Sequence, residues 1–243
     1  MRRLVAPAAL ALLLPLTGCG SDDDETLTVL AAASLTDVFE DLAVEFEQEQ
    51  GVEVDLSFGS STALAEQAAD GAPGDVLATA DDASMQVPRE AGVTGDVATF
   101  ATNVLVIVTP PDNPAGVDSL DDLADSTWVR CADDAPCGRV ALGVLEGHGV
   151  TAEPASLEED VRATLDKVAS GEADAGLVYA SDAAAAGDRV ATLEIPGAAD
   201  QPTAYSLTTL EQAEDDELAQ EWIDLVLSAD GREALTDAGF GAP

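Results

Sequence analysis

The stretch LTVLAAASLTDVF, residues 27–39, joins a short apolar run to the start of an amphipathic pattern. Its first five residues form a short apolar run of the kind found in buried β-strands. Beyond Ser34, apolar residues recur at steps of three and four as far as Gly51, which favours a helix with one buried face. The stretch therefore predicts a strand followed directly by a helix, with a serine hydroxyl at the junction.

The same order of strand and helix continues downstream. Alternating apolar residues at 52–58 predict a second strand, and the segment 59–71 predicts a helix capped by one of the hydroxyl residues at 60–62. A third buried strand is predicted at 76–80. Strands that alternate with helices indicate an α/β fold with a parallel sheet.

A second unit is expected after the apolar segment 104–108, which we interpret as a connection. The chain length of 243 residues accommodates two α/β lobes. We expect residues 27–104 and 205–243 to form lobe 1 and residues 105–204 to form lobe 2. The predicted elements of the second half are strands at 126–132, 175–179 and 190–195, helices at 138–146 and 160–170, a returning strand at 203–210 and terminal helices at 215–240.

The charge balance excludes one class of function. The chain carries 48 acidic and 9 basic residues, a formal net charge of −39 at pH 7. Nucleic acid and anionic membrane surfaces would be repelled by such a surface, so we expect no nucleic-acid partner. The acidity fits a salty external medium. The alternative is a general bias toward acidic residues in the proteins of the source organism.

The N-terminus predicts export. Arg2 and Arg3 precede an apolar run at 4–16, which is long enough for a signal-peptide core and short for a membrane span. The sequence LTGC that ends at Cys19 resembles the bacterial lipobox, so we expect a signal peptide at 1–18 and a lipid on Cys19. An ordinary export signal with an incidental cysteine is the alternative. Residues 19–26 then form an acidic tether on the outer face of the cell membrane or in the periplasm.

Two further cysteines, Cys131 and Cys137, stand in the sequence CADDAPCG. An even pair in an exported protein suggests one disulfide. Two separate buried thiols or half of a metal site are the alternatives. The only histidine, His148, is placed in an apparent turn between glycines, so no site with direct cation ligands is expected.

Ser34 and Ser61 share one position in the pattern, the end of a buried strand where a helix begins. Such turns gather at the carboxyl edge of a parallel sheet, where ligands bind. Converging helix N-termini with hydroxyl groups form an anion site that needs no lysine or arginine. Two alternatives remain: each serine caps its own helix, or one is the nucleophile of a secreted hydrolase. The hydrolase lacks the G-x-S-x-G motif and a placed general base, so no enzyme is expected.

The chain also resembles a known family. Its motifs closely resemble those of the periplasmic molybdate-binding proteins, the substrate-binding components of molybdate ABC importers. The resemblance covers nearly all of the chain behind the N-terminal segment. The motifs that carry it are AAASL at 31–35, FGSS at 58–61, GAPGDV at 71–76, EDVR at 159–162 and GLVYASDA at 176–183.

The resemblance implies a two-lobed type II periplasmic-binding-protein fold with a ligand cleft between the lobes. It implies a monomeric receptor that binds molybdate or tungstate without a cofactor and delivers it to the membrane permease of an ABC importer. A receptor of the same fold for sulfate or another small anion is the alternative.

Five ligand-binding residues follow from the family pattern. Ser34 and Ser61 would donate through hydroxyl and backbone N–H, Cys137 and Val161 through backbone N–H alone, and Tyr179 through its phenol. Cys137 stands where many relatives have alanine, and a bridge to Cys131 would pre-organise its N–H group. From the residues alone, Tyr179 also fits an aromatic at a strand end and Val161 a helical core residue.

Overall fold

The structure is a computed structural model that describes residues 25–243. The predicted signal peptide, Cys19 and residues 19–24 of the tether lie outside the described residues. Within the described part, none of the helices combines the length and apolar character that crossing a membrane requires.

The described residues form ten strands and eight α-helices. The strands are β1 (Thr26–Ala32), β2 (Glu53–Gly59), β3 (Val76–Thr79), β4 (Ala98–Asn103), β5 (Leu105–Thr109), β6 (Trp128–Cys131), β7 (Ser156–Glu158), β8 (Ala175–Tyr179), β9 (Ala191–Glu194) and β10 (Thr203–Thr209). The helices are α1 (Thr36–Gln50), α2 (Ser61–Ala69), α3 (Asp82–Ala91), α4 (Pro136–His148), α5 (Val161–Ala169), α6 (Ala180–Ala186), α7 (Asp216–Leu227) and α8 (Ala229–Asp237). Short 3₁₀ helices lie at Ala33–Leu35, Leu120–Asp125, Gly187–Arg189 and Ala198–Asp200.

Two five-stranded sheets organise the chain. The first has the order β2-β1-β3-β10-β4 and the second the order β7-β6-β8-β5-β9. Helices α1, α2, α3, α7 and α8 pack with the first sheet, and α4, α5 and α6 with the second. We call these two bodies the first lobe and the second lobe, and they confirm the predicted two-lobed α/β fold.

Each sheet is mixed rather than wholly parallel. In the first, β1 runs parallel to β2 and β3, whereas β10 is antiparallel to β3 and β4. In the second, β6 runs parallel to β7 and β8, whereas β5 is antiparallel to β8 and β9. The antiparallel strands β5 and β10 are those that the chain enters on crossing between lobes, so they approach their sheets from the opposite end.

The crossings differ from the sequence interpretation in two places. The apolar segment 104–108 is not a connection, because β5 at Leu105–Thr109 is a fully buried interior strand of the second sheet. Buried strands read as continuous apolar runs, which explains the error. The chain has returned to the first lobe by Thr203, where β10 begins. The sequence predicted the end of lobe 2 slightly later, at residue 204.

Helix α4 extends further than predicted in both directions. It begins at Pro136, which suits a first helical position, and ends at His148, where Gly149 follows in the left-handed conformation with φ of 69°. His148 is therefore the last residue of a helix and not part of a turn, and its Nε2 lies 2.9 Å from the carbonyl oxygen of Pro196. The glycines at 143 and 147 are tolerated inside the helix and conceal it in the sequence.

The C-terminal helices pack on the first lobe, as the sequence predicted. The indole of Trp222 on α7 meets the rings of Phe39 and Phe46 on α1 edge to face, each with centroids 5.4 Å apart. All three side chains are buried. This aromatic cluster holds both ends of the described chain in the first lobe.

Candidate functional site

A cavity lined by the predicted site residues lies where the two lobes face each other. Its space of about 220 Å³ includes the opening to solvent, and the enclosed part has room for about one water-sized sphere. It lies at the ends of β1, β2 and β3 and the starts of α2, α4 and α5. All five predicted ligand-binding residues line it. The lining comes from 32–34, 59–61 and Ala80 of the first lobe and from 135–137, 160–161 and Tyr179 of the second.

The two serines of the first lobe make tertiary hydrogen bonds. Ser34 lies in the short 3₁₀ turn after β1, and its hydroxyl oxygen is 2.7 Å from the phenol oxygen of Tyr205. Ser61 is the first residue of α2, and its hydroxyl accepts a hydrogen bond from the backbone N–H of Ala80 at 3.0 Å. Both are buried, and neither caps its own helix. The capping alternative is therefore wrong for both residues.

Backbone N–H groups at helix starts face the same cavity. The first four N–H groups of a helix have no acceptor within it, and here they include those of Ser61, Cys137 and Val161. Helices α2 and α4 begin without a side-chain cap. At α5 the carboxylate of Asp160 accepts from the N–H of Ala163 at 2.9 Å and leaves the Val161 N–H free of this cap. The positive ends of three helix dipoles thus converge on one space.

Tyr179 brings an unpaired phenol to the cavity. It is the last residue of β8 and only 1% exposed, and its phenol oxygen has no hydrogen-bond partner among the described residues. Burial raises the pKa of this phenol well above its usual value, so the group stays protonated at neutral pH. Buried polar groups in native proteins almost always have a partner. An unpaired donor at a cavity therefore calls for an acceptor inside it.

The cavity has almost no formal charge of its own. Asp160 is the single charged residue among the residues that line it, and its carboxylate is engaged by the Ala163 N–H. The lining is otherwise neutral, with no lysine or arginine. Within residues 25–243, no cluster of histidine, cysteine, aspartate or glutamate could hold a metal ion. A ring of neutral donors suits a small anion with several acceptor atoms and no proton to donate.

The geometry does not assemble a hydrolase. His148 is absent from the lining of the cavity, and its Nε2 contacts the carbonyl oxygen of Pro196 instead. Ser34 and Ser61 contact a phenol and a backbone N–H, and neither has a histidine partner in the described part of the chain. The serine-nucleophile alternative consequently lacks the base that it requires.

A disulfide supports the Cys137 donor. Cys131 at the end of β6 and Cys137 in the first turn of α4 are joined by a disulfide, with their Cα atoms 5.7 Å apart. The turn between them is tight, because a Cβ atom on Gly138 would lie 1.7 Å from the carbonyl oxygen of Ala132. The bridge and this glycine together hold the backbone N–H of Cys137 in place.

Sequence reasoning did not identify Tyr205. Its phenol bonds Ser34, and burial raises its pKa above the usual range, so it also remains protonated. Its ring lies edge to face with that of Tyr179, with centroids 6.0 Å apart. Both tyrosines of the chain therefore meet behind the cavity. No local pattern marks this residue, because its partner Ser34 lies 171 positions away in the sequence.

Comparison with known proteins gives a consistent result. Residues 27–241 match the family model described as bacterial extracellular solute-binding protein. The molybdate-binding protein ModA of Mycobacterium tuberculosis is 36% identical over 222 residues, which cover 90% of this chain and 85% of that protein.

Solved structures share the fold. The periplasmic molybdate-binding protein of Azotobacter vinelandii superposes with a TM-score of 0.79 at 23% identity, covering 89% of this chain and 99% of the other. The sulfate-binding protein SubI of M. tuberculosis superposes with a TM-score of 0.77 at 18% identity, covering 89% and 86%. At these identities the superpositions establish the two-lobed fold alone.

Proposed function

Because this chain belongs to the family of bacterial extracellular solute-binding proteins, we propose that it is an extracytoplasmic receptor that binds molybdate for an ABC importer. The relative from M. tuberculosis, a molybdate-binding protein by name, supports molybdate as the ligand. The membrane permease of the importer is the partner that this role requires.

The observation that carries the proposal is the unpaired phenol of Tyr179 in a cavity of neutral donors. Its oxygen is buried without a partner among residues 25–243. The opposite wall presents the hydroxyls of Ser34 and Ser61. A tetrahedral oxyanion placed between them would offer an acceptor to each lobe at once, so ligand binding and closure of the cleft become one event.

The donor set matches a doubly charged tetrahedral anion. Ser34 and Ser61 supply hydroxyl and backbone N–H groups, Cys137 and Val161 supply backbone N–H groups, and Tyr179 supplies its phenol. These are roughly seven donors for four oxygens, and each charge-assisted hydrogen bond contributes about 1.5–3 kcal/mol. The converging helix dipoles offset the charge without a counter-ion.

Selection among oxyanions then depends on size and protonation. Molybdate, tungstate and sulfate are all unprotonated at neutral pH, so a rigid ring of donors separates them by the dimensions of the closed cavity. We propose that tungstate binds in the same way. Phosphate retains a proton that needs an acceptor, and a donor-only cavity disfavours it. A sulfate receptor is the second candidate, favoured by the shared fold of SubI.

The processing, membrane anchoring and oligomeric state of the protein stay predictions from the sequence. We propose that residues 1–18 are removed, that Cys19 carries a lipid anchor and that the lobes act as a monomer. We propose that each sheet forms the centre of one lobe. Lobe 1 comprises residues 27–104 and 205–243, and lobe 2 comprises residues 105–204, except that β10 of lobe 1 already begins at Thr203. No cofactor and no catalytic step enter this role.

Replacement of the two cavity serines tests the site. Ser34→Ala and Ser61→Ala each remove a donor, so the affinity for molybdate in isothermal titration should fall about tenfold to a hundredfold. Ser170→Ala is the matched control, because Ser170 is an exposed serine at the far end of α5. Thermal unfolding without ligand checks that each variant is folded. Unchanged affinity in both cavity variants would show that molybdate does not bind in this cavity.

A further inference from the structure

Two arginines stand beside the backbone donors of the second lobe. Arg139 follows Cys137 by two residues on α4, and Arg162 follows Val161 directly on α5. Neither arginine lines the cavity, so neither can touch a ligand there. Both nevertheless reach across to the first lobe.

Arg139 is bonded to three side chains of the first lobe. Its Nε lies 2.7 Å from an oxygen of Asp81, and its Nη2 donates to Ser84 at 2.9 Å and to Thr62 at 3.2 Å. The side chains of Arg139 and Asp81 are 31% and 13% exposed, so this pair is only partly shielded from water. Thr62 in turn donates to the backbone carbonyl of Asp134 in the second lobe at 2.6 Å. The start of α4 is thereby bonded to the starts of α2 and α3.

Arg162 connects the lobes at a second place. Its guanidinium contacts the carboxylate of Asp37 on α1, which belongs to the first lobe. Its Nε lies 3.1 Å from an oxygen of Asp182 on α6, a fully buried residue of the second lobe. The Arg162 side chain therefore lies between its own lobe and the helix that follows Ser34.

These contacts are distinctive in so acidic a chain. Within residues 25–243, the ion pairs that cross from one lobe to the other are those of Arg139 with Asp81 and Arg162 with Asp37. The remaining paired cations, Arg130, Lys167 and Arg189, bond within the second lobe. Closing two acidic lobes brings like charges together, so attraction across the cleft is needed where the lobes meet.

We propose that Arg139 and Arg162 are positioning residues for ligand capture: by bonding to the first lobe in the closed cleft, they hold the N–H groups of Cys137 and Val161 against the bound anion and slow its release. The inference rests on the proposed function, because it needs a ligand in the cavity. Contacts that form only on closure act chiefly on the rate of dissociation.

The test measures release of radioactive molybdate from the purified protein after dilution into excess unlabelled molybdate, with rapid filtration. Arg139→Gln and Arg162→Gln should each release the anion about fivefold faster, with the association rate changed less than about twofold. Arg139→Lys and Arg162→Lys should restore part of the slow release. Arg189→Gln is the matched control, because it removes the same charge from an exposed pair within the second lobe and should release at the wild-type rate.

A second variant separates positioning from folding. Arg162→Gln leaves Asp182 buried without its cation, so this variant alone can lose stability. Asp37→Asn cuts the same link from an exposed side chain, 54% accessible, and should speed release as much as Arg162→Gln does. The double variant should release no faster than either single one, as expected for two partners of one contact.

The release rates distinguish a failure of the positioning role from a failure of the proposed function. Release from Asp37→Asn, Arg139→Gln and Arg162→Gln at the rate of Arg189→Gln would overturn the positioning role and leave the receptor intact. Failure of the wild-type protein and of Arg189→Gln to retain molybdate at all would overturn the proposed function and this inference with it.

Discussion

The hydroxyl oxygen of Ser34 lies 2.7 Å from the phenol oxygen of Tyr205, a residue 171 positions further along the chain. This contact joins the turn after β1 to the strand that returns from the second lobe. Burial raises the pKa of the Tyr205 phenol, which therefore keeps its proton. When Tyr205 donates to Ser34, the serine proton is left to point at a ligand.

Removing the Tyr205 hydroxyl should weaken binding without touching the cavity wall. Tyr205→Phe keeps the ring that packs against Phe100 and Phe240 and removes the hydroxyl that bonds Ser34 and also interacts with Asn103. One neutral hydrogen bond contributes about 0.5–1.5 kcal/mol, so affinity for molybdate in isothermal titration should fall by up to about tenfold. An affinity equal to that of the wild type would show that Ser34 is oriented by something other than Tyr205.

Tyr179→Phe should have opposite effects on binding and stability. The variant loses a donor to the anion, so affinity should fall about tenfold to a hundredfold. Without ligand, the buried phenol of Tyr179 has no partner among the described residues, so its removal should leave the free energy of unfolding unchanged or raise it. Urea unfolding of the ligand-free protein checks the second part. A loss of stability together with unchanged affinity would make this hydroxyl structural.

The disulfide should matter for both stability and affinity. The loop between Cys131 and Cys137 is short, with a sequence separation of 6, so loop-closure entropy contributes about 2 kcal/mol. The double variant Cys131→Ala with Cys137→Ala should lose stability of this order in urea unfolding. It should also bind molybdate more weakly, because the Cys137 N–H is no longer pre-organised. The wild type treated with a reductant should behave like the variant. Equal affinity in the untreated wild type, the reduced wild type and the variant would contradict a role of the disulfide in binding.

Asp182 should make stability depend on pH. Burial raises its pKa to about 7, although Arg162 lowers it, and Asp37 and Asp160 add to the rise. A carboxyl whose pKa is higher in the folded than in the unfolded protein stabilises the fold at low pH and loses that contribution as pH rises toward the folded pKa. The wild type should therefore lose free energy of unfolding relative to Asp182→Asn between about pH 4 and pH 7.

The pH dependence has an upper limit, because only the one proton of the Asp182 carboxyl is involved. The difference in free energy of unfolding between the two proteins should change by at most about 1.4 kcal/mol per pH unit within that window. Other carboxylates contribute equally to both proteins and cancel. Urea unfolding at several pH values measures the difference, and a difference that stays constant from pH 4 to pH 7 would show that Asp182 ionises normally.

The net charge should slow capture of an anion at low salt. With a formal charge of −39, the protein repels a dianion until added salt screens the interaction. The association rate for molybdate in rapid-mixing experiments should therefore rise with ionic strength. A rate that stays flat over a wide range of salt would mean that the acidic residues lie far from the cleft or are locally balanced.

Local sequence patterns could predict the strand-to-helix turns. Ser34 follows a buried strand with a short apolar run, whereas Ser61 follows β2, a half-buried edge strand with alternating apolar residues. The helices behind both serines are periodic. The structure brings both serines to the cavity that Cys137, Val161 and Tyr179 also line. The last three needed the family motifs. A backbone N–H leaves no mark on the residue type of Cys137 or Val161, and Tyr179 also fits an ordinary aromatic at a strand end.

Contacts between distant segments could not be predicted in this way. Tyr205 meets Ser34, and Arg139 and Arg162 meet Asp81 and Asp37, only because the chain crosses between the lobes and returns. The direction of β5 and β10 depends on the same crossings, so the expected parallel sheets became mixed ones. Periodicity within a segment carries no information about these pairings.

Isothermal titration of the purified protein with molybdate, repeated in a large excess of sulfate, distinguishes a molybdate receptor from a sulfate receptor. We expect one molybdate per chain, bound tightly and not displaced by sulfate, because the relative that supports the proposal is a molybdate-binding protein. Absence of binding heat with molybdate, or its full displacement by sulfate, would contradict it.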